Sequence, residues 1–191
     1  MAIYQIHSIP IEINVARRAV DLVTEAQISQ LVQSLNRLPD EHLRRLPTIT
    51  IRYYAEYAGG GSHLDRDEPE HSFIRISYRC FQSSWNRPLT EPNQTLLHEV
   101  GHIIDWNYSC MGYLRSNHRT EYQALLSHAH SGRTSGAGEH YADAYKDYFV
   151  GTLRSGLRYD ALIHSPAFRS IVPRTFDRLL EPAQPQEFTL Q

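Results

Sequence analysis

Two histidines four residues apart with a glutamate beside the first, His98-Glu99-Val100-Gly101-His102, are the residues of this sequence best suited to chemistry. On a helix, residues four apart stand one above the other, so both imidazoles can approach one ion from the same face. Glu99 is turned to the side. From there its carboxylate is badly placed to join the coordination sphere, yet it can take a proton from a water that the metal activates. The motif therefore predicts two zinc ligands, His98 and His102, and a general base, Glu99.

Tetrahedral zinc with an open position needs a third protein ligand, and Glu139 in Gly138-Glu139-His140-Tyr141-Ala142-Asp143 is the best candidate. Asp143, four residues on, shares its side of the helix and can accept the free N–H of a ligating histidine, which would fix that ring's tautomer. Acidic residues at this spacing also occur on ordinary solvated helix faces, and the HExxH upstream favours the ligand reading. The metzincin pattern is excluded, because Asp105 and Tyr108 stand where it requires Gly and His or Asp.

At these residues the chain resembles the gluzincins, metallopeptidases with HExxH on one helix and a Glu ligand on a later one. More narrowly, HEVGHIID and a downstream GRT before the Glu-x-x-Ala-acidic helix are similar to the anthrax lethal factor catalytic domain and the related Pro-Pro endopeptidases, over about residues 40–155. The resemblance implies a compact zincin-like domain in which a small sheet packs beside the metal-bearing helix and an edge strand pairs with extended peptide substrate. Residues 72–80 are the strand expected to do so. The family places a tyrosine seven residues before the Glu ligand to stabilise the tetrahedral intermediate, and Gly132 stands there instead. His130 is a possible substitute donor, with His128 and Tyr122 as others.

These side chains must be held by elements that the rest of the sequence specifies. Pro92 suits a first helical turn, with Thr90 or Glu91 near the cap. In the helix that follows, Leu96, Leu97, Val100, Ile103 and Ile104 fall on one arc, and His98 and His102 on the opposite side with Glu99 and Trp106 near them. Gly101 would permit a neighbouring element to approach closely. Thr24 and Gln27 form a capping box for a helix over about residues 25–38, with Ile28, Leu31, Val32 and Leu35 on its apolar stripe and Pro39 as its stop. A possible first segment covers residues 11–23, and a short helical turn is expected from Glu41 to Leu46.

Alternation at Ile49, Ile51 and Tyr53, and again at Ile74, Ile76, Tyr78 and Cys80, predicts two strands of one small mixed sheet. Between them, Gly59-Gly60-Gly61 and the charged run from Asp65 to Glu70 read as a solvated excursion. The second half reads as mainly helical, broken by the turn-prone stretch 131–138. The expected fold class is therefore α+β, as one domain over residues 1–181 with a flexible tail over 182–191.

The 19 basic and 21 acidic residues give a net charge of -2, which argues against nucleic acid or an anionic membrane as partner. Lys146 is the only lysine. No stretch approaches the roughly 20 apolar residues of a membrane-spanning helix, and the N-terminus lacks a basic start with a long apolar core, so a soluble protein without a classical export signal is expected. Two cysteines, Cys80 and Cys110, are too few for a disulfide framework and read as buried free thiols.

The function expected from all this is a zinc-dependent endopeptidase acting on peptide or protein substrate, with one catalytic Zn²⁺. A secreted effector or toxin is one biological setting for it. The alternative is a non-catalytic, zinc-stabilised peptide-binding module using the same three ligands.

Overall fold

The computed structural model describes residues 2–82, 91–108, 112 and 136–150. Their polypeptide begins with a β-hairpin, β1 (Ala2–Ile6) and β2 (Ile9–Val15), closed by His7 and Ser8. Both turn residues have positive φ, 49° and 67°. This is the backbone twist that a two-residue hairpin turn demands. The expected first segment at 11–23 is thus divided: its start completes β2, and Arg17–Leu22 is a 3₁₀ helix. Ile9, Ile11 and Ile13 alternate inward along β2 and carry the period-two signal of a strand.

Helix α1 (Glu25–Leu35) starts at the anticipated capping box: Thr24 Oγ1 accepts from the Gln27 amide, and the Gln27 side chain accepts from the Thr24 amide. It stops three residues short of the expected end, although Leu38 beyond it is still buried. A single turn, α2 (Asp40–Leu43), leads into β3 (Ile49–Arg52).

The sheet has five strands in the order β1-β2-β3-β5-β4, with β4 at Gly60–His63 and β5 at Phe73–Ser77. Pairings β2–β3 and β3–β5 are parallel, and the flanking pairs β1–β2 and β4–β5 are antiparallel. The structure differs from the sequence expectations at two places. Part of the 59–70 excursion is strand β4, because its backbone pairs with β5 although its Gly-Gly-Ser-His sequence has no apolar pattern. Residues 72–80 do not form an edge strand: β5 is paired on both sides, and Tyr78–Phe81 turn into a 3₁₀ helix. Among the described residues the free edge beside the motif helix belongs to β4.

Isoleucines 9, 11, 13, 49, 51, 74 and 76 all turn to one face of the sheet and are at most 5% exposed. Helix α3 (Pro92–Tyr108) lies on that face through Leu96, Leu97, Val100, Ile103 and Ile104, the arc read from its periodicity. Each such buried side chain contributes about 2 kcal/mol of hydrophobic stabilisation. Helix α4 (Ala137–Val150) packs on α3 with Tyr141, Ala142, Tyr145 and Phe149 buried. Gly101 makes that approach possible, since a Cβ there would lie 2.8 Å from the Ala142 Cα and 3.1 Å from the Tyr145 Cβ. The described residues are thus a mixed α+β arrangement around one core. No helix among them is long and apolar enough to cross a membrane. Cys80 is a buried free thiol, and Cys110, His128, His130, Tyr122, Gly132 and the 182–191 tail lie outside the described residues.

Candidate metal centre

Because α3 is anchored by its apolar arc, the opposite arc is directed at α4 and at the edge strand. His98 and His102 project there one turn apart, with Nε2 atoms 3.1 Å from each other. The close α3–α4 approach at Gly101 brings Glu139, on the first turn of α4, to the same point. Its Oε2 is 3.3 Å from His98 Nε2 and its Oε1 is 3.3 Å from His102 Nε2. These ligand atoms form one group able to hold a metal ion. Zinc bonds of about 2.0–2.1 Å at tetrahedral angles separate donor atoms by about 3.3 Å. The spacing of the three side chains therefore fits that ion, and their converging lone pairs repel one another unless a cation or shared protons lie between them.

His98 Nδ1 lies 3.0 Å from Asp143 Oδ1, and the same oxygen accepts from Lys146 Nζ at 3.0 Å. With Nδ1 donating to the carboxylate, Nε2 presents its lone pair to the centre. Burial works against charge on His98, but the Asp143 carboxylate, helped by Glu99 and Glu139, outweighs it and raises the pKa above the ordinary histidine value. His102 shifts the other way, lowered by burial and by its neighbour His98. Burial pushes the Asp143 carboxyl up, yet the His98 hydrogen bond and the Lys146 ammonium prevail and hold it well below the usual carboxylate range. Asp143, four residues after Glu139, thus stands beside the His98 ring nitrogen that faces away from Glu139. Lys146 was visible in the sequence only as an isolated lysine, with no pattern tying it to this carboxylate.

Glu99 does not join the ligand group. It is 6% exposed and turned toward β4, where Ser62 Oγ donates to its Oε2 at 2.7 Å. Burial raises its pKa, and the Ser62 hydrogen bond and the His98 charge counter this only in part. Strand β4 passes so near that a Cβ on Gly60 would lie 2.7 Å from Glu99 Cγ and 2.8 Å from its Oε1. A side chain at that point would displace the Glu99 carboxylate from its present position. Ser62 gave no warning in the sequence, since a serine after three glycines reads as loop; the glycines themselves were the only signal.

These groups line a cleft of about 500 Å³ between β4 and the two helices. Its rims are aromatic. Trp106, 37% exposed, lies over the His102 ring at 5.6 Å and 20°, and the Arg66 guanidinium donates to the Trp106 carbonyl. On the other rim Tyr57 donates its hydroxyl to the Gly60 carbonyl at 3.1 Å, with Tyr54 edge-on at 6.2 Å. The Tyr57 pKa is raised, by burial first and then by the charge of Glu99, so it stays a hydroxyl donor. Comparison of the chain with protein families, with characterised proteins and with solved structures finds no match.

Proposed function

We propose that the chain is a zinc-dependent endopeptidase of zincin-like architecture. The observation that carries the reading is the convergence of His98, His102 and Glu139 donor atoms within 3.1–3.3 Å beside a buried carboxylate, Glu99, that stays outside the group. Zinc supplies Lewis acidity, which lowers the pKa of water and polarises a carbonyl. His98, His102 and Glu139 would hold it. Asp143 keeps His98 in the tautomer that offers Nε2, and Lys146 fixes Asp143.

Glu99 is the general base: its carboxylate faces the cleft, takes a proton from the attacking water and returns it to the leaving amine. Ser62 holds the carboxylate in that orientation. Extended peptide would lie along the free edge of β4, gaining backbone hydrogen bonds from the strand that also carries Ser62. This assigns peptide binding to residues 60–63 in place of 72–80.

The test is metal content by elemental analysis of wild type, Glu139→Ala and Glu99→Gln, purified without added zinc, followed by cleavage of a quenched-fluorescent peptide library. The expected result is one zinc per chain in wild type and Glu99→Gln, less in Glu139→Ala, and cleavage by wild type alone. Wild type that takes up no zinc even when it is supplied removes the reading at its first step. Zinc without cleavage of any peptide favours the non-catalytic binding module.

A further inference from the structure

The outward-facing backbone of β4 is already partly occupied. In an antiparallel pair, residues alternate between those whose N–H and C=O both face the partner strand and those facing away. The Ser77 amide donates to the Gly59 carbonyl at 2.9 Å, and Gly60 is in register with Ile76. Gly59 and Gly61 therefore face β5, and Gly60 and Ser62 turn their amides and carbonyls to the free edge. The Gly60 carbonyl is the acceptor that a peptide strand would need next to Glu99, and the Tyr57 hydroxyl sits on it.

We propose that Tyr57 is a substrate-contacting residue of this cleft, its hydroxyl parked on the Gly60 carbonyl in the free protein and released when a peptide strand takes that acceptor. The released phenol then donates to the peptide carbonyl oxygen as negative charge develops on it. This rests on the endopeptidase reading above.

Three features support the exchange. Tyr57 is 54% exposed, so its ring turns without losing much buried surface. Its oxygen lies on the Gly59-Gly60 backbone, where a Cβ on Gly59 would come within 2.5 Å of it, and the Gly60 Cβ position is 2.8 Å from Glu99 Oε1. Tyr57 and Glu99 line the same cleft, and the Glu99 charge reaches the hydroxyl. It also remains protonated and able to donate, since burial and the nearby Glu99 and Glu139 charges oppose its ionisation. Donors of this kind act on the rate because they bind the charged oxygen more strongly than the neutral carbonyl.

Tyr57→Phe keeps the ring against Tyr54 and removes only the hydroxyl. In the zinc-loaded full chain, kcat on the fastest-cut peptide of the quenched-fluorescent library is expected to fall by about tenfold or more. In the Glu99→Gln background, that peptide is expected to bind the Tyr57→Phe protein about three- to tenfold more tightly, because the competing hydrogen bond is gone. Wild-type kcat in Tyr57→Phe, or peptide binding no tighter than in Glu99→Gln alone, overturns the proposal and leaves the endopeptidase reading standing. No peptide cut or bound by zinc-loaded wild type overturns both.

Discussion

Ser62 Oγ donates a 2.7 Å hydrogen bond to Oε2 of Glu99, tying the outer strand of the described sheet to the helix that carries His98 and His102. A strand that would receive peptide and a carboxylate that would act on it are thus mechanically one unit. In the proposed endopeptidase, seating of the substrate and placement of the base would depend on the same four residues of β4.

Ser62→Ala removes the donor and leaves a buried carboxylate to reorient. Hydrogen bonds to charged groups contribute about 1.5–3 kcal/mol, so kcat is expected to fall by about ten- to a hundredfold. Zinc content should be unchanged, because the Ser62 hydrogen bond is to Glu99, which is outside the His98-His102-Glu139 group. Ser62→Thr should restore most of the rate. Steady-state kinetics with elemental analysis checks all three.

Gly101→Ala puts a methyl 2.8 Å from the backbone of Ala142 and must push α3 and α4 apart. Overpacking of this kind costs about 1–3 kcal/mol. Since His98 and His102 ride on one helix and Glu139 on the other, zinc affinity is expected to fall along with the melting temperature. Thermal unfolding with and without a chelator separates the two losses: the variant should gain less from zinc than wild type does.

Asp143→Asn takes the negative charge from His98 Nδ1 and from one contact of Lys146. Loss of such a carboxylate behind a ligating histidine weakens metal binding about 10- to 100-fold. Competition with a chromophoric chelator measures it directly; affinity within twofold of wild type removes Asp143 from this role.

Stability should fall on acidification through His42, which is fully buried on α2 and hydrogen-bonded at 2.8 Å to the Tyr145 hydroxyl. Burial lowers its pKa from 6.5 to about 4, and the Glu41 charge opposes this only weakly. Between those values the unfolded chain binds a proton that the folded chain refuses, so the contribution is full above pH 6.5 and is lost as pH falls toward 4. The loss approaches about 3 kcal/mol. Urea unfolding of the chelator-treated protein from pH 7 to pH 4, compared with His42→Gln, should show the wild-type curve falling more steeply.

The local features legible in the sequence are those that one element specifies by itself. Thr24 and Gln27 cap α1 because both partners lie within one turn. The α3 arc of Leu96, Leu97, Val100, Ile103 and Ile104 and the pairing of His98 with His102 follow from helical period alone, and Asp143 follows from its spacing to Glu139. Sequence spacing nominated Glu139, but only the close packing of α3 on α4 at Gly101 brings its carboxylate to the histidines.

Strand β4 had no such local signal. Gly60–His63 lacks apolar alternation, and its extended state comes from backbone bonds to β5. The edge strand that the resemblance implies at residues 72–80 is interior for the same reason: the alternation of Ile74 and Ile76 reports which face is buried, never which strand lies outermost. Ser62, Gly60 and Tyr57 reach the cleft through that pairing. Periodicity in a sequence specifies the faces an element offers, whereas which faces meet, and therefore which distant side chains share one site, is decided when the whole core packs.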